Sequence, residues 1–207
     1  MTTRTLAVVS AGLSNPSSTR LLADRLTAAT VDALRARGDD ATVEVVELRE
    51  HARDLADNLV TGFAGRSLQT AVDTVTGADG LIAVTPIFSA SYSGLFKTFF
   101  DVLDKDALVG KPVLLAATAG TARHSLALEH AVRPLFAYLR AVAVPTAVFA
   151  ASEDWAGAGG VDRALADRID RAAGELADLV TGRPAATRPV DPYADPTTSF
   201  EELLRGS

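Results

Sequence analysis

The sequence contains no cysteine among its 207 residues. The chain therefore cannot form a disulfide, use a thiolate as a nucleophile, or hold an iron–sulfur cluster or a cysteine-ligated zinc ion. It also lacks clustered basic residues and has a formal net charge of −6, which argues against a nucleic-acid surface. No apolar run approaches the roughly 20 residues that span a bilayer, and no leader pattern opens the chain. We expect a cytoplasmic protein with neither a nucleic-acid nor a membrane partner.

The composition that is present is typical of a folded domain. Apolar residues make up 48% of the chain and charged residues 22%, so a full hydrophobic core can form. Residues 183–207 differ from the rest, because they contain four prolines and no long apolar period. We therefore expect one domain over residues 1–182 and a mostly irregular tail over residues 183–207.

Five short apolar segments have the length and β-branched content of strands that are covered on both faces. They are residues 5–10, 42–48, 80–85, 112–118 and 143–150. Between these segments, apolar residues recur at helical spacing over residues 22–37, 68–75, 92–103 and 125–140. The same spacing follows the last segment, over residues 165–180. Pro134 should kink or split the fourth helix, and Pro145 suggests that the fifth strand lies at an edge. The pattern predicts an α/β fold with a five-stranded, doubly wound parallel sheet in the flavodoxin-like order 2-1-3-4-5 and helices on both faces.

Ligands of such a sheet bind beyond the carboxyl ends of the strands, where the strand order reverses. Three loops meet there: a first loop over residues 11–19, a second over 85–94 and a third over 118–124. The first loop places several hydroxyls just before a helix, whose free N–H groups favour an anion. An ordinary helix N-cap at Ser17 or Ser18 remains the alternative. Neither the dinucleotide glycine fingerprint nor the P-loop pattern occurs in the chain.

The second loop carries the most specific motif. It begins with Thr85-Pro86 and continues through Ser91-x-x-Gly94-x-x-Lys97 to Asp101-x-Leu103. This arrangement resembles the signature of the NADPH-dependent FMN reductase family, which has a flavodoxin-like fold. The resemblance covers roughly residues 4–180. Residues 119–155 further resemble a subfamily of FMN reductases that partner luciferase-like monooxygenases.

The resemblance implies a set of FMN contacts in each of the three loops. The phosphate contacts would be Ser10, Ser17, Ser18 and Thr19. The isoalloxazine edge would meet Pro86, Ile87, Phe88 and Ser89. The pyrimidine side would meet Thr118, Ala119 and Gly120, with Thr121 close by.

This sequence also departs from the family pattern. Leu13 stands where many relatives carry an arginine, so the phosphate charge would be balanced by dipoles and by Arg20. Ile87-Phe88 stands where many relatives carry Glu-Tyr. The family resemblance also implies a homodimer or homotetramer. Phe96, Phe99 and Phe100 occupy several faces of one predicted helix, and contact between subunits would explain them, with the protein's own sheet as the alternative partner.

The expected function is that of an NAD(P)H-dependent FMN reductase. Such an enzyme passes a hydride from NADPH or NADH to N5 of FMN and supplies reduced FMN to a partner monooxygenase. Positioning carries this reaction, so we predict no catalytic acid, base or nucleophile. His124 and His130 lie six residues apart on different faces of a predicted helix, so no metal site is expected. Arg123 either meets a coenzyme phosphate or is simply solvated at a helix start.

Two alternatives remain open at this stage. A quinone or azo reductase would retain FMN and pass electrons to an organic acceptor. A flavodoxin-type electron carrier would bind FMN but lack a nicotinamide site, although such carriers usually have a stronger acidic face than a charge of −6 suggests.

Overall fold

Parallel strands alternate with helices along the chain in the computed structural model, which describes residues 2–155 and 162–182. The expected tail over residues 183–207 lies outside the described residues. The strands are β1 Thr3–Ser10, β2 Asp40–Glu47, β3 Gly80–Phe88, β4 Ser91–Tyr92, β5 Pro112–Ala119, β6 Val142–Ala143 and β7 Val148–Ala151. The main path through the sheet runs β2-β1-β3-β5-β6, with β7 also paired to β5. The predicted order is confirmed, with the fifth strand divided into two short pieces.

Two features of the sheet differ from the expected five strands. The fifth strand is interrupted at Pro145. The Val144 amide still donates to the Val113 carbonyl at 2.9 Å, but Pro145 has no amide N–H with which to continue the pairing. Because β6 and β7 pair only with β5, the expected edge position is confirmed. The short strand β4 pairs antiparallel with the end of β3 and makes a hairpin that periodicity did not predict.

Helices cover both faces of the sheet. They are α1 Ser18–Ala36, α2 Ala52–Thr61, α3 Arg66–Gly77, α4 Gly94–Asp101, α5 Arg133–Tyr138 and α6 Arg163–Thr181. Along β1, Leu6 and Val8 pack against α1 and α6, whereas Ala7 and Val9 face the layer that contains α3, α4 and α5. This alternation follows from the two-residue period of a strand. Across residues 2–155 and 162–182, no helix has the length and apolar character that crossing a bilayer requires.

Pro134 divides the helical region that precedes the last strand pieces. A π-helical turn over Leu128–Val132 ends directly before α5, in which Pro134 is the second residue. Proline is tolerated in the first turn of a helix because the amide that it lacks has no intrahelical acceptor there. The predicted split is confirmed. The helix α2 was missed from the sequence, since Leu55 is its single buried residue and its apolar period is correspondingly short.

The three phenylalanines of α4 are buried within the protein itself. Phe96, Phe99 and Phe100 are at most 2% exposed. The rings of Phe96 and Phe100 have centroids 4.7 Å apart, and Phe100 lies 4.9 Å from the ring of Phe136 on α5. The expectation that contact between subunits explains these rings is therefore wrong. The helices α4 and α5 pack against each other and against the sheet, and this packing buries all three rings.

Replacing Gly174 with alanine is expected to raise the free energy of unfolding by about 0.5–1 kcal/mol, because glycine inside a helix carries a larger entropy cost than alanine. Gly174 lies within α6, and an added Cβ would meet only Arg37 Nη2, at an ordinary contact distance of 3.7 Å. Urea denaturation of both proteins measures the change. A decrease in stability would contradict the helical geometry at this position.

Candidate functional site

A cleft opens at the carboxyl ends of β1, β3 and β5. After β1 the chain turns into α1 on one face of the sheet, and after β3 it turns into α4 on the other face. The two connections therefore diverge, and the gap between them is the expected ligand site of an open parallel sheet. The cleft has a volume of about 270 Å³. It is lined by Leu13, Ser14, Ser17, Ser18, Thr19, Pro86, Ile87, Phe88, Thr118, Ala119, Gly120 and Ser152.

The lining includes nine of the twelve residues predicted from the sequence, and the other three lie elsewhere. Ser10 is fully buried at the end of β1, and its hydroxyl has no hydrogen-bond partner within the described residues. Ser89 lies at the tip of the β3–β4 hairpin, beyond the strand residues that line the cleft. Thr121 is exposed and precedes a 3-10 turn that leads away from β5.

Ser152 lines the cleft although it was not predicted. It follows β7 directly, and the carboxyl end of this parallel strand piece lies at the same edge of the sheet as those of β1, β3 and β5. Ligands of an open parallel sheet bind beyond the carboxyl ends of its strands, and this rule also predicts Ser152 when it is applied to the loop after the edge strand.

The first loop folds tightly onto the start of α1. Ser17 is the N-cap, since its hydroxyl oxygen accepts a hydrogen bond from the Arg20 amide at 3.2 Å. This confirms the capping alternative for Ser17, but Ser18 and Thr19 line the cleft as well. Gly12 packs against them, because a Cβ at this position would lie 2.1 Å from the Ser17 hydroxyl oxygen. The peptide between Asn15 and Pro16 is cis.

A buried hydrogen bond joins the first loop to the third. The hydroxyl oxygens of Thr19 and Thr118 lie 2.8 Å apart, and both side chains are buried. The two residues are 99 positions apart in the chain. This contact holds the start of α1 against the end of β5, and thus sets the width of the cleft between them.

The second loop is a hairpin held by Thr85. The buried Thr85 hydroxyl donates to the Pro86 carbonyl at 3.0 Å and accepts from the Ser93 amide at 3.1 Å. Ser89 and Ala90, the two turn residues, both have positive φ angles, 49° and 67°. Non-glycine residues adopt such angles at a cost of roughly 1–2 kcal/mol each, and this type of turn matches the twist of the flanking strands. The hairpin leaves Phe88 half-exposed beside the cleft.

No charged side chain lines the cleft within the described part of the chain. The N-terminal end of α1 instead supplies a partial positive charge, and its first amides precede the first intrahelical acceptor. Serine and threonine hydroxyls supply further donors. Such a site suits a phosphate group, whereas the apolar side chains of the second loop suit a flat ring. Residues 2–155 and 162–182 contain no group of three histidine, aspartate or glutamate side chains that could hold a metal ion.

Comparison with known proteins identifies the family of this chain. The sequence matches the NADPH-dependent FMN reductase family over residues 4–156. This chain belongs to that family. As a member of it, the chain is an oxidoreductase whose cofactors are FMN and a nicotinamide coenzyme.

Several members of the family are closely similar over most of the chain. The sequence is 38% identical to an FMN reductase (NADPH) of Pseudomonas aeruginosa over 178 residues, which is 86% of this chain and 93% of that protein. It is also 38% identical to the NADH-dependent FMN reductase SfnE of Pseudomonas putida, over 81% of this chain and 88% of that one. The structure resembles an oxidoreductase from Corynebacterium diphtheriae with a TM-score of 0.84 and 50% identity, covering 89% of this chain and all of that one.

Two arginines lie near the first loop in this member of the FMN reductase family, and each is already engaged. Arg20 Nη1 lies 2.6 Å from Glu47, and Arg20 Nε lies 2.7 Å from Asp24, and these hydrogen bonds raise the pKa of the guanidinium. Arg49 donates to the Ser14 carbonyl at 3.0 Å. The expectation that Arg20 balances a phosphate charge is therefore not supported, because its charge is matched by two carboxylates. The arginines instead tie the first loop and α1 to the end of β2.

In this FMN reductase, Thr19→Val or Thr118→Val alone is expected to lower the free energy of unfolding by about 1–2 kcal/mol, because each leaves one buried hydroxyl unpaired. The double variant should cost less than the sum, since both members of the hydrogen-bonded pair are then apolar. Chemical denaturation of the four proteins gives the coupling. Strictly additive losses would show that the 2.8 Å contact contributes nothing.

Proposed function

We propose that this chain is an NAD(P)H-dependent FMN reductase that releases reduced FMN to a separate, luciferase-like monooxygenase. The observation that carries the proposal is the cleft itself, in which uncharged hydroxyls and the start of α1 face the backbones of the second and third loops. Its volume of about 270 Å³ is below the roughly 300–1,000 Å³ of most small-molecule sites. Part of the flavin would thus remain outside the protein, open to a hydride donor and able to leave.

Each loop has its own task in the proposed binding mode. Ser17, Ser18, Thr19 and the first amides of α1 would hold the phosphate. Pro86, Ile87 and Phe88 would support the isoalloxazine edge, and Thr118, Ala119 and Gly120 would border its pyrimidine side. Ser10, Ser89 and Thr121 lie outside the lining and could act only indirectly.

Bound FMN supplies the redox chemistry, since its ring accepts a hydride from the nicotinamide. The protein contributes position and electrostatics. Backbone N–H groups of the loops can stabilise negative charge on a bound ring, and they need no reorganisation to do so. The lining holds no carboxylate, histidine or lysine within the described residues. The proposed hydride transfer uses no side-chain acid or base.

An anaerobic absorbance assay tests the proposed function. Purified protein mixed with excess FMN and either NADPH or NADH under nitrogen should bleach the flavin faster than a protein-free control. An equal rate in both samples would overturn the proposal. Saturable oxidation of the coenzyme separates this function from that of a flavodoxin-type carrier. Gel filtration separates it from a quinone or azo reductase, because an enzyme that releases its product should lose FMN on the column.

We also propose that the protein is a homodimer or homotetramer. Several large apolar side chains remain exposed to solvent in the single chain, among them Tyr138 at 80% and Leu126 at 64%. Both lie between the third loop and the end of α5 along the chain. Light scattering coupled to gel filtration reads the mass directly, and a monomer at micromolar concentration would contradict the proposal.

A further inference from the structure

The hydroxyl of Thr85 joins the two ends of the second loop. Thr85 is fully buried at the start of the loop, and Ser93, which is 2% exposed, lies at its end. The hydroxyl accepts a hydrogen bond from the Ser93 amide at 3.1 Å and donates one to the Pro86 carbonyl at 3.0 Å. Pro86, Ile87 and Phe88 line the cleft directly after it. Thr85 itself does not line the cleft, so it can affect a ligand only through the backbone of the loop.

Ser93 belongs to a rigid part of the structure. It is the N-cap of α4, where its hydroxyl oxygen accepts a hydrogen bond from the Phe96 amide at 3.2 Å. The ring of Phe96 is fully buried and packs against the rings of Phe100 and Phe136, with centroids 4.7 and 6.2 Å away. The Thr85 hydroxyl therefore ties the part of the second loop that lines the cleft to the packed core beneath α4.

The tip of the second loop is strained. Ser89 and Ala90 have φ angles of 49° and 67°, in the left-handed region that is unfavourable for residues with a Cβ. Both residues are exposed, so burial does not hold them in this conformation. The strand β4 is linked to β3 through two residue pairs. Backbone strain persists where surrounding contacts over-determine the conformation, and the two buried hydrogen bonds of Thr85 are such contacts.

We propose that Thr85 is a positioning residue, which holds the backbone of residues 86–88 in the place where the isoalloxazine ring of FMN rests. This role rests on the proposed function, which puts the ring against the second loop. Hydride transfer depends on the ring being held at a fixed position relative to the donor, and a small displacement caused by a remote substitution can slow it strongly. The phosphate contacts lie in the first loop and do not depend on Thr85.

Fluorescence titration with FMN and with riboflavin tests the role of Thr85 without turnover. Riboflavin carries the ring but not the phosphate. Thr85→Val nearly keeps the shape of the side chain and removes its hydroxyl, and it should raise the Kd of both flavins by the same factor, about fivefold. Thr85→Ser retains the hydroxyl and should bind both flavins within about twofold of the wild type. A loss confined to FMN would place the effect at the phosphate and overturn the proposal, as would unchanged affinity for both flavins.

Two further substitutions separate positioning from a loss of overall stability. Thr30→Val removes a buried hydroxyl that donates to the Leu26 carbonyl at 2.7 Å within α1, outside the cleft lining, and should leave both affinities unchanged. Ala90→Gly removes the cost of a positive φ angle at the tip, so Thr85→Val/Ala90→Gly should be more stable than Thr85→Val in urea denaturation. Because the added glycine does not fix residues 86–88, this double variant should bind both flavins as weakly as Thr85→Val. Wild-type affinity in the double variant would show that Thr85 acts through stability alone and would overturn the proposal.

The anaerobic rate of flavin reduction provides a further readout. In Thr85→Val saturated with FMN, the limiting rate at high NADH or NADPH should fall about fivefold. The coenzyme concentration that gives half of this rate should change by less than twofold, because the substitution alters the placement of the ring. An unchanged limiting rate would show that the bound ring is placed as in the wild type, and would overturn the positioning role. If the wild-type protein binds FMN but oxidises neither coenzyme, the proposed function fails, and the flavin titrations still decide the role of Thr85.

Discussion

Replacing Ser18 with aspartate is expected to weaken FMN binding about 100-fold. Ser18 is the first residue of α1, is exposed, and lines the cleft where the phosphate is proposed to bind. Two like charges about 4–5 Å apart near a protein surface repel by roughly 3–4 kcal/mol at an effective dielectric constant of about 20. Solvent screening at this exposed position reduces the penalty to roughly 2–3 kcal/mol, and about 1.4 kcal/mol corresponds to a factor of ten in affinity.

The same substitution should not harm the fold. The first turn of α1 contains no acidic residue, and a carboxylate at this end of a helix is favourable by about 0.3–1 kcal/mol. The free protein should therefore melt at an equal or higher temperature while its affinity for FMN falls. Ser18→Asn is the matched control, because it has nearly the same shape as aspartate without the charge. It should bind FMN within about threefold of the wild type in a flavin fluorescence titration. Equal affinity of the aspartate variant would place the phosphate elsewhere.

The order of the sheet could be predicted because it depends on signals that are local in sequence. Each buried strand is a short apolar run, and the alternation with helices leaves few topologies for a parallel sheet. The same reasoning located the cleft, since the loops after β1, β3 and β5 are fixed once the order is fixed. The hairpin after β3 was not predicted because Ser89 and Ala90 are not residues that usually signal a turn with positive φ angles.

The side-chain partners within the site could not be predicted, because they depend on contacts between distant parts of the chain. Nothing local indicates that Thr19 meets Thr118, or that Arg20 is neutralised by Glu47 at the end of β2. Ser10 illustrates the same limit of prediction from sequence. Its position at the end of β1 is the expected one, yet the residue is fully buried and does not line the cleft. Sequence order therefore identified the loops, and packing decided which residues within them are accessible.

Replacing Gly12 with alanine is expected to lower the free energy of unfolding by about 2–4 kcal/mol and to weaken FMN binding at least tenfold. The added Cβ would lie 2.1 Å from the Ser17 hydroxyl oxygen, 3.1 Å from Ser17 Cβ and 3.2 Å from Thr19 Cβ. The Ser17 hydroxyl cannot simply rotate away, because it caps α1 through the Arg20 amide. Overpacking costs about 1–3 kcal/mol, and loss of an N-cap costs about 0.5–2 kcal/mol.

Two further variants show whether this clash is the cause. Gly120→Ala adds the same methyl group to another loop of the cleft, where a Cβ would meet nothing within 4 Å, and it should change stability by less than about 0.5 kcal/mol. Adding Ser17→Gly to the Gly12 variant removes the hydroxyl and the Cβ that obstruct the new methyl group. Glycine is a tolerable N-cap that costs only a few tenths of a kcal/mol, so the double variant should recover most of the lost stability in urea denaturation. If it is no more stable than Gly12→Ala alone, the first loop is not held closed by the contact between Gly12 and Ser17, and the proposed phosphate site loses its support.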